Sequence, residues 1–408
     1  MSKKKTSAPP NNTGPQFGQI QFTGDPAAYK IKHPSDQKLY ALVNNSLMQP
    51  IPKPKDPNNL VLGLATVLGA NGSAAVKTIQ DAGQIVFHMG GDTGPTTGPL
   101  TVDKVTDKLA NDFVNEPAGE KPAFFFHLGD IVYSFGEGKY YYDQFYEPFR
   151  NYPAPILAIP GNHDGLVYKG DPLPTLDAFL RNFVSDTPVQ TPEAGGLIRT
   201  SMTQPGVYFA FDAPFITIIG LYSNVLEDPG VISSQKDATS PVTDEQLTFL
   251  LAQLNRVKNS GNAVLVVVHH PPYAWGGDHG GSPQMLADID AQCTAANFWP
   301  HAVISGHAHN YQRFTRTVGN FDIPYVVAGN SGHNVIALKS TGTTVLRAPV
   351  TLPNGLIFEN YDDTNYGYLR VVCNSSQIRI EYHNADPNQK TYDDAVTVDL
   401  KTHTMISN

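Results

Sequence analysis

Residues 153–165 read "PAPILAIPGNHDG": a short apolar run, closed by Pro160 and Gly161, then Asn162, His163 and Asp164 side by side. An apolar run of this length, bounded by Pro and Gly, is the pattern of a buried strand. Three polar side chains at its end form either a solvated turn or part of a site that the strand delivers. Four other runs end in the same way. "FHMGGDTG" leaves Asp92 after its strand, "FHLGDIVY" leaves Asp130 and then Tyr133, "LVVVHHPPY" ends in His269 and His270, and "VISGHAHNYQR" ends in His307 and His309. Asp after Gly at one strand end is commonly a turn former. Five runs that each terminate in a carboxylate, amide or imidazole point instead to one sheet edge, where α/β proteins assemble their sites.

The surrounding pattern supports strands in a mixed arrangement. Further strand-like runs are "GVYFAFD", "FITIIGLYS", "IPYVVAG", "YGYLRVVC" and "QIRIEYH". Helical periodicity falls between strands at "TVDKVTDKLANDFV", "YYYDQFYEPFR", "TLDAFLRNF" and "TDEQLTFLLAQLNRVKN", the last opening on Thr243 with Gln246 three residues on, a capping-box start. Strands alternating with helices, plus hairpin-like pairs, predict an α/β sandwich with mixed sheets. Residues 1–57, with "QPIPKPKDPNN", read as an extended or partly disordered N-terminal arm; residues 58–408 read as the catalytic domain.

Composition excludes several classes. In 408 residues, hydrophobic types make up 40% and charged types 16%, with no apolar stretch long enough to span a bilayer. The 28 basic and 37 acidic residues give a net charge of −9, which disfavours nucleic acid or an anionic membrane as partner. Two cysteines, Cys293 and Cys373, are too few for a disulfide framework. The basic start "MSKKK" has no apolar region behind it, so the chain as written reads as cytoplasmic; the alternative is a periplasmic or secreted protein whose leader is missing.

The polar inventory at the strand ends suggests a pair of metal ions. Two Asp, one Asn and at least three His offer mixed oxygen and nitrogen ligands that suit Fe, Zn or Mn, not Ca or Mg alone. A carboxylate can bridge two cations, held roughly 3.5–4 Å apart in hydrolytic two-metal sites. Such chemistry needs no covalent nucleophile, and no "GxSxG" elbow is present.

The series "GDTG", "GDIVY", "GNHD", "VVVH" and "GHAH" resembles the calcineurin-like metallophosphoesterase superfamily, and within it the purple acid phosphatase branch. The superfamily opens on Asp-x-His; here that His position is Gly94, as in the purple acid phosphatases, which use the Tyr of "GDxxY" instead, matched by Tyr133. The resemblance implies a four-layer α/β/β/α sandwich of two mixed sheets. It assigns Asp92, Tyr133 and His309 to metal one, Asp130 to both metals, and Asn162, His269 and His307 to metal two. It implies Fe(III) at the tyrosinate site and Fe(II), Zn or Mn at the other. His163 would face substrate as the acid, oriented by Asp164, and His279 in "AWGGDHGGS" would act on the phosphate or leaving group. His270 is read as substrate-facing or behind the ligands, with the choice between His269 and His270 as direct ligand left open; Tyr273 and Asn310 are expected around the pocket. The implied reaction is hydrolysis of a small phosphate monoester by metal-bound hydroxide. A phosphodiesterase acting on cyclic nucleotides or glycerophosphodiesters is the alternative, and a non-catalytic interaction module a remote one. The fibronectin-like N-terminal domain of the large plant members is not expected.

Overall fold

The computed structural model describes residues 48–406 except 97, 118–119, 277–278, 339–346 and 353–354. Among the described residues sixteen strands form two sheets. The first comprises β1 (Val61–Gly63), β5 (Phe209–Ala213), β6 (Ile216–Leu221), β7 (Ala263–Val268), β8 (Ala302–Ser305), β10 (Phe321–Ala328), β9 (Tyr311–Val318), β12 (Ile357–Asp362) and β11 (Val350–Thr351), in that spatial order. The second comprises β16 (Met405–Ile406), β15 (Asp394–Asp399), β14 (Gln377–Asn384), β13 (Gly367–Asn374), β2 (Gln84–Gly90), β3 (Phe125–His127) and β4 (Ile156–Ala158). Both are mixed. β2, β3 and β4 run parallel, as do β6, β7, β8 and β10, whereas β9 and β13 join as antiparallel partners.

The alternation of side chains along a strand explains the layering. In β7, Leu265 and Val267 face the core between the sheets, with Phe87, Phe126, Phe209 and Ile304. Val264, Val266 and Val268 face the other way, among Phe249, Leu250 and Leu254 of helix Glu245–Val257. In the second sheet Leu157 faces the inner core, while Phe125 and Ile156 join Val105 and Leu109 of helix Leu100–Asn115. Strands covered on both faces read as continuous apolar runs. The architecture is the expected four-layer α/β/β/α sandwich.

Several elements depart from the sequence reading. Helices Gly72–Ala82 and Pro283–Ala296 and strands β9, β12 and β15 were not anticipated. "YYYDQFYEPFR" yields one wide turn, Tyr142–Tyr146. The Thr243–Gln246 capping box does not form. The helix starts at Glu245, and Gln246 is buried, its side-chain oxygen accepting from the Tyr222 amide and its nitrogen donating to the Tyr222 carbonyl, both at 2.8 Å. The residue turns inward to bracket the end of β6, so it has no free amide for the cap.

Of the proposed arm, residues 1–47 lie outside the described residues. The described remainder packs on the body: Ile51 is buried, and Lys55 donates to the carbonyls of Ser185 and Thr203. Cys293 and Cys373 are buried and unpaired. Among the described residues no helix is long and apolar enough to cross a membrane.

Candidate metal centre

The parallel strands end at one edge, and their following residues converge there. Asp92 follows β2, Asp130 and Tyr133 follow β3, and Asn162 and His163 follow β4. His269 follows β7, and His307 and His309 follow β8. Two groups result: ligand atoms of Asp92, Asp130 and His309 lie within 4.8 Å of one another, and so do those of Asp130, His269 and His307. Asp130 is common to both, the placement a bridging carboxylate requires. Tyr133 Oη donates to Asp92 Oδ1 at 3.1 Å and lies 3.2 Å from His309 Nε2. Asn162 Oδ1 lies 3.1 Å from His269 Nε2.

The loops are shaped at a cost. Asp92, Asp130, His307 and His309 all have positive φ, at 58°, 56°, 68° and 48°. A non-glycine residue in that region costs about 1 kcal/mol or more, and such strain persists where function requires the geometry. Close approach also explains two glycines. A Cβ at Gly161 would lie 2.1 Å from Asp130 Oδ1, and one at Gly94 would lie 2.9 Å from Tyr133 Cδ2. A Cβ at 94 would also meet Gln144 Oε1 at 2.6 Å and the Ile131 carbonyl oxygen at 2.8 Å, so the tyrosine ring and its neighbours together leave room for glycine there.

The donor set fits cations. His269 Nδ1 lies 2.8 Å from the Leu128 carbonyl, an acceptor, so Nδ1 carries the hydrogen and Nε2 presents a lone pair. That lone pair faces two oxygens, Asp130 Oδ2 at 3.3 Å and Asn162 Oδ1 at 3.1 Å. A positive charge among the three resolves the repulsion. Without one the ring takes a second proton: burial lowers its pKa, but Asp130 and Asp92 outweigh burial and push it up to about 9. Asp130 Oδ2, His307 Nε2, His309 Nδ1 and Asn162 Nδ2 are buried without hydrogen-bond partners, and buried polar atoms left so call for an explanation such as a bound ion. Burial, then Asp130 and Asp92, hold the Tyr133 phenol well above its ordinary pKa, so a cation is needed to draw its proton off.

The cavity above these groups has a volume of about 160 Å³. It is lined by Thr96, Asp130, Tyr133, Ser134, His163, Glu227, His279, His307, His309 and His333. His163 is half-buried, its Nδ1 2.8 Å from the Ser134 carbonyl and its amide donating to Asp130 Oδ1 at 2.9 Å. His279 pairs with Asp228, Nδ1 to Oδ2 at 3.6 Å, and the other oxygen of Asp228 is 3.6 Å from His307 Nε2. Burial lowers the His279 pKa, but Asp228 and Glu227 carry it above the ordinary value.

Three expectations need correction, and one open choice closes. Asp164 does not orient His163. Its carboxylate accepts from the amides of Gly161, Ile131 and Val132 at 2.9, 3.0 and 3.2 Å, and the Ser134 carbonyl takes the imidazole instead. Of the two readings of His270, its geometry favours a place behind the ligands: Nδ1 is 2.7 Å from Ser223 Oγ, Nε2 is 2.8 Å from the Leu226 carbonyl and the ring lies 4.1 Å from that of His307, while His269 joins the cluster. Tyr273 lies outside the cavity, packed edge-on to Tyr325 in an apolar groove with Trp275 and Phe314. Asn310 is tied to the Ile336 carbonyl and to Gln312. Asp278, read beside His279, lies outside the described residues.

Glu227, Asp228 and His333 were missed. The signal for His333 was present: it follows "IPYVVAGNSG", a sixth apolar run ending in a Gly-rich turn at the same edge.

The family model described as calcineurin-like phosphoesterase matches residues 91–311, more than half the chain. The chain belongs to that family. Among solved structures, purple acid phosphatase PPD1 from yellow lupin (Lupinus luteus) seeds superposes with a TM-score of 0.52 at 16% identity, covering 78% of this chain and 54% of that one. GAP50, the anchor in the inner membrane complex of Plasmodium, gives 0.50 at 13% identity over 79% of this chain and 91% of that one. At these identities the likeness supports the fold. This calcineurin-like phosphoesterase spans about half the length of the lupin protein. No curated protein matched the sequence.

Proposed function

We propose that this protein is a dinuclear metal-dependent phosphatase of the purple acid phosphatase type, hydrolysing small phosphate monoesters. The observation that carries the reading is the pair of three-residue clusters sharing Asp130, with orphaned buried atoms on Asp130, His307 and His309. Asp92, Tyr133, His309 and Asp130 would hold Fe(III); Asp130, Asn162, His269 and His307 would hold Fe(II), Zn or Mn. Bound there, the ions would neutralise phosphoryl charge and supply a nucleophilic water of lowered pKa.

The chain's own residues supply the rest. His163 is fixed by Nδ1 to the Ser134 carbonyl, leaving Nε2 to meet a phosphoryl oxygen or to give a proton to the departing alcohol. His279, steadied by Asp228, approaches from the opposite loop and can do the same. The small cavity suits a single phosphoryl group.

A second reading, a phosphodiesterase, draws on Glu227 and Asp228. These carboxylates beside the cavity oppose a dianionic monoester more than a monoanionic diester. A scaffold without turnover is opposed by the complete set of candidate ligands here.

Rates on an aryl phosphate and on its bis-aryl diester, measured for the wild type and Asp130→Asn, test the proposal. Faster monoester hydrolysis, lost by at least about a hundredfold in a folded Asp130→Asn protein, is expected. Unchanged turnover in the variant would sink the two-metal reading, and a faster diester rate would replace monoester by diester.

A further inference from the structure

The torsion that turns the Tyr133 ring is broad and two-fold rather than staggered, so the bond itself does not fix the ring. Something must fix the plane of its ring. His333 lies flat on it, with ring centroids 3.7 Å apart and planes 10° from parallel. His163 makes a second, tilted contact at 4.4 Å.

His333 is itself anchored twice to the loop that carries Asp92. Its amide donates to the Asp92 carbonyl and its Nδ1–H to the Gly94 carbonyl, both at 2.8 Å. It is 7% exposed, and its edge meets His309 at 4.9 Å. One imidazole therefore touches the Tyr133 ring, the Asp92 loop and His309, the three groups assigned to the same metal. Gly94 completes the arrangement by leaving the space that the tyrosine ring occupies.

We propose that His333 is a positioning residue for metal one: it clamps the Tyr133 ring against the Asp92 loop and so sets the plane of the ring and, with it, the direction of the phenol oxygen's lone pairs. The inference rests on the reading of Tyr133 as a ligand. Groups behind a metal's direct ligands commonly tune affinity and electronic properties by orienting those ligands. Here the orienting contact is a ring face, not a hydrogen bond to the ligand.

The test uses the full-length, iron-loaded, oxidised protein in three forms: wild type, His333→Ala and His333→Phe. Visible absorption, iron content and steady-state kinetics on an aryl monoester are measured for each. The tyrosinate-to-iron band is expected to shift or weaken in His333→Ala, with kcat down about tenfold and KM within about twofold, the usual scale for losing a ligand's support. His333→Phe, which keeps a flat ring and loses both nitrogens, should restore the band and kcat. A wild-type band and kcat in His333→Ala overturn the proposal, and so does a His333→Phe protein as impaired as His333→Ala. Should the alanine variant fail to fold, His333→Phe carries the test alone: a wild-type band supports the clamp, a displaced one overturns it. A colourless wild type removes the Tyr133 reading and the clamp together, whereas a coloured wild type with an indifferent His333→Ala removes the clamp only.

Discussion

Asp164 shows how a residue can be found for one reason and kept for another. Its carboxylate gathers the amides of Gly161, Ile131 and Val132, tying the loop after β4 to the loop after β3. Those loops carry Asn162 and Asp130, so Asp164 holds two candidate ligands in register without facing the cavity. Burial and the neighbouring Asp130 push its pKa above the ordinary carboxylate range. Asp164→Ala strands buried N–H groups without an acceptor and is expected to cost about 2–5 kcal/mol. Asp164→Asn, which keeps one oxygen, should lose less. Urea unfolding midpoints measure both, and an alanine variant within about 1 kcal/mol of wild type would contradict the assignment. Asp92, Asp130, Asn162 and His307 were legible because each follows a glycine at the end of an apolar run, His269 because it ends such a run directly, and Tyr133 and His309 because they lie within three residues of those positions. The partner of Asp164 was not, because backbone amides from a distant loop have no sequence signature. Glu227 and Asp228 were hidden likewise, since they follow β6 in a loop whose course only the fold determines.

At the level of elements, strands enclosed on both faces announced themselves as apolar runs, whereas the amphipathic β9 and β12, with Arg, Thr, Glu and Asn, did not. Helix Pro283–Ala296 carries real signals: Ser282 caps it by accepting from Met285, Pro283 takes the first position, and Met285, Ile289, Cys293 and Ala296 form its buried stripe. The Gly-rich segment before it obscured that start. At the seam of β7 and β8, His301 is buried with Nδ1 accepting from the Val264 amide and its ring stacked on His403 at 4.5 Å. Burial, reinforced by His403, holds its pKa down to about 3, against an ordinary 6.5. Between these values the unfolded chain binds a proton that the folded chain refuses. The contribution is therefore present above pH 6.5 and lost as pH falls toward 3, by at most about 1.4 kcal/mol per pH unit. His301→Asn, whose amide oxygen can still accept from Val264, should flatten the stability profile across that window. Chemical denaturation as a function of pH checks it; an unchanged slope assigns the acid sensitivity elsewhere.

Across the whole molecule, the site is a seam. Asp92, Asp130, Tyr133 and Asn162 come from the second sheet, and His269, His307 and His309 from the first. Sequence could list the runs but not divide them between sheets, because pairing partners lie far apart along the chain. The division has a thermodynamic consequence. A cation bound by both sheets must stabilise their docking, since any species that binds only the folded state adds to its stability. At a thousand times its Kd that amounts to about 4 kcal/mol. Removing it also returns the charges of Asp92 and Asp130 to a fully buried pocket where imidazoles and neutral hydrogen-bond donors are left to answer them. Dialysis against a chelator should therefore lower the melting temperature by about 5–10 °C, and adding back iron with zinc or manganese should restore it. Asp130→Asn, which removes the carboxylate common to both clusters, should show a smaller metal-dependent shift than His309→Ala, which disturbs one. Calorimetric scans with and without metal decide the point: superimposable wild-type curves would mean that no cation spans the seam, and an Asp130→Asn shift as large as that of wild type would mean that Asp130 does not join the two halves of the site.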